Sequence, residues 1–454
     1  MAICAIVLCS ACANRPGEFA PPEPVAVYVV LGEGGQAIAR TIVSGNACPD
    51  LVVDGAAQPM RMRVAPGTAS QRPGQATPSA FPVGVCEATL PSAVRTASVA
   101  GRSLPLAKPE PQRIVVLGDT GCRIKQSDKA FQNCSDPGAW PFQAVADAAA
   151  KEHADLVIHV GDYHYRETPC PAKIGCGNSP WGYGWDAWNA DLFQPAERLF
   201  AAAPWVVARG NHEECARAGQ GWFRMLDTRP FTPQRSCDTP ENDADADFSE
   251  PYAVPLGGHW QLVVFDSAKA SRPLDVSNPS DAHILAQYEK EMRTVAALAA
   301  APGMHSVFVC HHPVLGFSMD QKSGTSFGNQ ALMSAMKPLN GTRYFPAGVD
   351  VALDGHVHIF EAIDFSSPQP ATIVTGHGGD NLDSELPDPL PVALASAAGV
   401  EVDFVAHSRS FGYLVMDRSP DGWILRAQRI DGSTLVVCTL TQKHLACARR
   451  GLLD

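Results

Sequence analysis

Five short motifs follow one another along the chain, each closing an apolar run. They are Gly118-Asp119-Thr120-Gly121, Gly161-Asp162-Tyr163-His164-Tyr165, Gly210-Asn211-His212-Glu213, Cys310-His311-His312-Pro313 and Gly355-His356-Val357-His358. The runs before them (Ile114–Leu117, Leu156–Val160, Trp205–Ala208, Val307–Val309 and Val351–Leu353) are apolar at successive positions, His159 apart. That pattern fits central strands covered on both faces. Helix-like stretches at Phe142–Glu152, Asp191–Ala202 and Ala282–Leu298 lie between them. Strands alternating with helices, with polar residues at the strand ends, specify an α/β sheet that binds its ligand at those ends. Tyr413–Val415 and Trp423–Arg426 read as late strands closing the sheet.

Together the motifs supply two Asp, two Tyr, one Asn and several His. A phosphate ester resists attack because its oxygens repel the nucleophile, and two metal ions about 4 Å apart overcome that repulsion. Such a pair needs a carboxylate to bridge the ions, hard oxygen ligands for one ion and imidazoles for the softer one. A lone Gly-Asp turn is ordinarily structural, and a lone His-x-His is ordinarily a surface alternation. Five such blocks in series point to a site. The Gly before Asp119, Asp162, Asn211 and His356 is expected to supply a sharp turn and a close backbone approach.

The chain has 454 residues, 45% of them hydrophobic, which is enough for two domains or one large one. Residues 14–26 read as a Pro-rich linker. Residues 27–106 carry short alternating runs punctuated by Gly, Pro, Asn and Asp, the pattern of a small all-β, sandwich-like domain. Residues 112–435 form the α/β unit, and 436–454 a C-terminal tail closed by a disulfide. The net charge of −12 argues against a nucleic-acid surface. It permits a phosphorylated substrate, because bound metals supply local positive charge. After the N-terminus no apolar run reaches the roughly 18 residues of a membrane span. Oligomeric state is not readable.

Residues 1–13, MAICAIVLCSACA, read as an export signal that lacks the usual basic start, as in a truncated one. Ala11-Cys12-Ala13 offers a cleavage site, and lipidation of Cys12 is the alternative. Fourteen Cys are many for a reducing compartment, so the chain is expected in the periplasm or secreted, with a lipid anchor as the variant reading. Neighbouring cysteines suggest the pairs Cys48/Cys86, Cys122/Cys134, Cys170/Cys176, Cys215/Cys237 and Cys438/Cys447, with Cys310 left as a buried thiol. Two inserts interrupt the α/β pattern. Pro169–Asn189 holds Trp181, Tyr183, Trp185 and Trp188, expected to form the loop's own small core. Gly219–Pro251 holds the acidic run Glu241–Asp247, read as solvated because it lacks the spacing of a calcium loop.

The five blocks resemble those of the calcineurin-like metallophosphoesterases. Among these they are most similar to the purple acid phosphatases, whose pattern runs GDxG, GDxxY, GNHE or GNHD, a strand ending in His, then GHxH. The likeness covers about residues 112–435, and Trp185-Asp186, Trp188, Ala203-Pro204-Trp205 and Thr375-Gly376-His377-Gly378-Gly379 add to it. It implies a two-sheet α/β sandwich preceded by the all-β domain. It implies that Asp119, Tyr165 and His358 bind a first metal, Asp162 bridges, and Asn211, His311 and His356 bind a second. A metal-bound hydroxide would attack, and His212 would protonate the leaving oxygen, with Glu213 orienting it. His312 then stands behind the metals or faces substrate; an exchange of roles with His311 stays open.

Most calcineurin-like enzymes carry His where this chain has Gly121. Tyr165, three residues after Asp162, can fill the vacancy, and a tyrosinate suits iron(III). The resemblance therefore implies Fe(III) at the Asp119/Tyr165/His358 site and a divalent ion (Fe, Zn or Mn) at the Asn211/His311/His356 site. The resulting site is net positive, which attracts a small phosphate ester and favours an acidic optimum. The substrate histidines of some plant members are missing after the fourth motif. His164, Arg123 and Arg166 are candidate phosphate contacts. Phosphomonoester hydrolysis is the leading reading. A phosphodiesterase, nucleotidase or phospholipid head-group hydrolase on the same site is the alternative, and a cell-envelope binding protein with a vestigial site is a third.

Overall fold

The computed structural model describes residues 24–320, 324–391 and 399–453. The expected export signal and the linker up to residue 23 lie outside them, with Cys4, Cys9 and Cys12.

Two large sheets pack face to face, and helices cover their outer faces. In the first, Arg113–Leu117, Leu156–His159 and Trp205–Val207 run parallel at the centre. Gly412–Ser419, Gly422–Arg429, Thr434–Thr441 and His444–Cys447 extend it antiparallel on one side. In the second sheet Trp260–Val264, His305–Val309, Val349–Asp354 and Ala371–Thr375 are parallel. Both sheets thus present their parallel strand ends, where the five motifs begin, on the same side.

Alternation along each strand feeds two apolar layers. Ile114 and Val116 point into the layer between the sheets, with Ile158, Leu262, Val307 and Val351. Val115 and Leu117 point into the outer layer under the helix Phe142–Ala150. That helix buries Phe142, Val145, Ala146 and Ala149, the spacing of one helical face. The helix Pro279–Ala299 covers the second sheet, with Pro at its start and Asn278 accepting from the Ser280 N–H at 2.9 Å.

The N-terminal region is rich in strands, but four of them continue the first sheet rather than form a separate layer. Pro24–Leu31 pairs in parallel with Trp205–Val207 and antiparallel with Ala37–Val43, followed by Gly84–Thr89 and Arg61–Val64. Val27 and Val29 enter the layer between the sheets, while Tyr28 and Val30 enter the helix-covered layer. The expected linker therefore ends by Pro24. The boundary expected at 435 falls inside the strand Thr434–Thr441, so the C-terminal segment is sheet rather than tail. A pairing between segments so far apart in sequence leaves no local signal.

All five expected disulfides are present, and Cys310 is a buried free thiol. Trp185 and Trp188 of the aromatic insert join the helix-covered core layer. The acidic run is not simply solvated. Asp243 pairs with Arg72, and Asp247 accepts from the Cys215 N–H at 2.7 Å and lies 3.3 Å from Lys269. No helix among the described residues is long and apolar enough to cross a membrane.

Candidate metal centre

The strand-end turns place their strain on the candidate ligands themselves. Asp119, Asp162 and His356 adopt φ of 56°, 57° and 67°. Left-handed backbone at a residue other than Gly costs of order 1–3 kcal/mol and persists only where the surroundings enforce it. The neighbouring glycines serve the close approach expected of them, and Gly161, at φ 105°, supplies the turn as well. A Cβ on Gly210 would stand 2.1 Å from Asp162 Oδ1. A Cβ on Gly121 would stand 2.8 Å from the Tyr165 ring, so the volume of a side chain at 121 is already filled by that phenol.

Tyr165 Oη lies 2.9 Å from Asp119 Oδ1, 2.9 Å from Asp162 Oδ2 and 3.2 Å from His358 Nε2. On the other side, His311 Nε2 lies 3.1 Å from Asp162 Oδ2 and 3.1 Å from Asn211 Oδ1. His356 Nδ1 is 3.1 Å from the same Asn211 oxygen. Asp162 Oδ2 thus touches both halves of the cluster. Asp119, Asp162 and His311 have ligand atoms within 4.8 Å of one another, and so do His311, His312 and His356.

The tautomers follow from the outer partners, since a carbonyl can only accept. His311 Nδ1 faces the Val160 carbonyl at 3.0 Å and His358 Nδ1 the Asn381 carbonyl at 2.8 Å. Each ring donates outward and turns its Nε2 to the centre, where it can carry a proton or offer a lone pair to a cation. The residues fit a pair of cations: buried carboxylates, a phenol, an amide oxygen and inward imidazole nitrogens share one centre, with Asp162 between the halves. The protonation pattern agrees. Burial opposes charge on His311, but Asp162 and Asp119 outweigh it and leave the ring at about 9. Burial likewise opposes charge on His358, and Asp380, Asp383 and Asp119 carry it to about 10. His356, by contrast, is held at about 4 by burial and by His311. Protons on His311 and His358 answer the carboxylates in the same place that cations would.

His212 lies beside this cluster. Its backbone N–H donates to Asp162 Oδ1 at 2.8 Å, and its Nε2 is 3.8 Å from Asp162 Oδ2. Its Nδ1 meets the His164 carbonyl at 3.0 Å, Glu167 Oε1 at 3.1 Å and Arg217 Nη2 at 2.6 Å. Burial and Arg217 hold the ring down at about 3 against Asp162 and Glu167. A role as acid therefore calls for the negative charge of a bound ester to bring the proton on.

Several expected contacts fall elsewhere. Glu213 does not orient His212; its carboxylate accepts from the N–H groups of Gly210, Asp162 and Tyr163 at 3.1, 3.0 and 2.9 Å. It pins the turn that carries Asp162. The His164 ring is fully buried between Tyr183 and Trp188, and only its carbonyl serves the site. Arg123 is paired with buried Asp380 and stacks on the Tyr165 ring, 4.7 Å from its centre. Arg166 is paired with Asp191, which also accepts from the Tyr165 N–H at 2.8 Å. Both arginines brace Tyr165 rather than stand free for phosphate. His312 is buried, with Nδ1 at 3.0 Å from Ser267 Oγ and its ring centre 4.1 Å from that of His356.

Glu167, Arg217, Asp380 and Ser267 went unforeseen. Glu167 stands two residues after Tyr165 and Arg217 four after Glu213, so proximity to the motifs was the available signal. An open cleft of about 170 Å³ adjoins the cluster, lined by Phe317, Ser318, Asn329, His356 and Asp383 among others.

A family model described as calcineurin-like phosphoesterase matches residues 112–360. A purple acid phosphatase from yellow lupin (Lupinus luteus) seeds is structurally similar, with a TM-score of 0.56 at 16% identity, over 91% of this chain and 73% of that chain. The structure of PhoD is similar with a TM-score of 0.57 at 13% identity, over 96% of this chain and 94% of that chain. At such identities the likeness is one of fold. No curated protein matches the chain.

Proposed function

The chain belongs to the calcineurin-like phosphoesterase family, a family of metal-dependent phosphoric ester hydrolases, and from that premise we propose an acid phosphomonoesterase of the purple-acid-phosphatase type. The observation that carries this reading is the Tyr165 phenol, which fills the space beside Gly121 and meets Asp119, Asp162 and His358 within 3.2 Å. Asp119, Tyr165 and His358 would hold iron(III), Asn211, His311 and His356 a divalent ion, and Asp162 both. When bound, the ions supply positive charge for the phosphate oxygens and make water acidic enough to attack.

The remaining roles belong to the protein. Asp162 is held by Glu213 through its backbone and by the His212 N–H through its carboxylate. His212 projects Nε2 toward the centre and is the proposed general acid. Once protonated, its Nδ1–H has the Glu167 carboxylate and the His164 carbonyl as acceptors. Removing such an acid costs about 10²–10⁴-fold in turnover.

A visible spectrum of the purified protein tests the reading. A charge-transfer band lost in Tyr165→Phe is the expected result; a colourless or unchanged protein contradicts it. Phosphodiester hydrolysis is the second reading, supported by the cleft beside His356, which offers room for a second esterified group. Comparing p-nitrophenyl phosphate with its bis ester separates the two. Five disulfides support export to an oxidising compartment.

A further inference from the structure

The N-terminal region meets the segment that follows Asn211-His212-Glu213 at a series of buried points. Arg72-Pro73-Gly74-Gln75 forms a tight turn, closed by the Gln75 N–H donating to the Arg72 carbonyl at 3.1 Å. Gly74 has φ +84°, which the position after Pro in such a turn requires. Gln75 is buried, and its Nε2 donates to the Arg217 carbonyl at 3.0 Å. Buried Gln220 returns a bond, its Nε2 donating to the Ser70 carbonyl at 2.9 Å. Arg72, itself buried, pairs with Asp243.

A second set of bonds holds the far end of the same segment. Arg40 donates to the carbonyls of Met225 and Asp227 at 2.9 and 2.6 Å. Arg63 donates to those of Arg224 and Phe223 at 3.0 and 2.8 Å. These carbonyls close the helix Gly219–Met225, where unpaired acceptors and the helix dipole favour cations. Glu87 lies between the two guanidiniums, 3.2 Å from Arg40 and 3.0 Å from Arg63.

Arg217 is what this clamp fixes on the side of the active centre. Its guanidinium pairs with Glu167, lies 2.6 Å from His212 Nδ1, and donates to the Asn211 carbonyl at 3.2 Å. Tyr183 of the aromatic insert completes the group by donating to Glu167 Oε2 at 3.0 Å. The N-terminal turn therefore grips the backbone of the residue whose side chain sets the His212 ring.

We infer that Gln75 is a positioning residue for Arg217 and, through it, for His212, so that the N-terminal strands take part in proton delivery to the leaving group. The inference rests on the reading of His212 as the general acid. Its consequence is selective. A good leaving group departs without a proton, whereas an alkoxide needs one. Loosening the turn should harm the second kind of ester more than the first.

The test uses the full-length, metal-loaded protein and two esters, p-nitrophenyl phosphate and glycerol 2-phosphate, with His212→Ala as the reference. Gln75→Leu should lose on the order of tenfold more turnover on the alkyl ester than on the nitrophenyl ester, in the same sense as His212→Ala. In metal-free protein, hydrogen exchange should quicken at residues 215–220 in Gln75→Leu and stay unchanged in the strands of the second sheet. Equal losses on both esters, or none on either, overturn the inference. If His212→Ala itself fails to separate the esters, the acid reading falls and the inference with it. Gln75→Met, closer in length, serves if the Leu variant does not accumulate, with the same outcomes.

Discussion

Gly121 and Tyr165 exclude one another's alternatives: a Cβ at 121 would stand 2.8 Å from the Tyr165 ring and 2.8 Å from its backbone nitrogen. The first ligand position proposed for the centre can therefore be served from 121 or from 165, but not both. Gly121→His is expected to push Tyr165 out of place. The visible band should vanish in that variant as in Tyr165→Phe, and turnover should fall by more than about 10²-fold. Retention of the band in Gly121→His would show that Tyr165 does not depend on the vacancy.

Gly210 approaches Asp162 still more closely, since a Cβ added to it would stand 2.1 Å from Oδ1. Gly210→Ala should displace the shared carboxylate and lower the metal content after desalting to one ion or fewer per chain. Far-UV circular dichroism should stay native, since the strand ends lie beyond the helix and sheet hydrogen bonds. Full metal content in this variant would contradict the bridging role proposed for Asp162.

Glu167 lies 3.1 Å from His212 Nδ1 and raises the pKa of that ring, against the lowering by burial and Arg217. Glu167→Gln removes the raising charge. The alkaline limb of the pH–rate profile, where His212 loses its proton, should move to lower pH, and kcat should fall by roughly tenfold or more. An unmoved limb would separate Glu167 from the proton transfer.

Much of this cluster was legible because its residues sit in local motifs. Asp119, Asp162, Tyr165, Asn211, His311, His356 and His358 do converge, and the cysteines pair with their sequence neighbours. What was not legible depends on contacts between distant segments. The strand Pro24–Leu31 joins the sheet through Trp205, and Gln75 reaches Arg217 across 142 positions. Glu213 misled for a different reason: residue type and spacing cannot tell whether a carboxylate faces the adjacent imidazole or the backbone N–H groups of another turn. Arg123 and Arg166 misled likewise, since only the fold reveals Asp380 and Asp191 as their partners.

Away from the centre, Glu291 on the helix Pro279–Ala299 is buried with Oε2 lacking a partner. Burial and then Asp266 push its carboxyl up to about 9 from an ordinary 4.5. The folded state binds a proton there more tightly than the unfolded one. That stabilisation is complete below about pH 4.5 and is lost as the pH rises toward 9. Glu291→Gln keeps the neutral form. Its unfolding midpoint should match that of the wild type at about pH 4.5 and exceed it by roughly 2 °C or more at about pH 8. Coincident midpoints at both pH values would contradict this assignment.

The central claim, that separate strand ends cage two cations around Asp162, is tested most directly by metal analysis of the active protein. Two ions per chain, one of them iron, with hydrolysis of p-nitrophenyl phosphate lost in step with their removal by chelator, is the expected result. Full hydrolysis by protein that holds fewer than two ions per chain would contradict it.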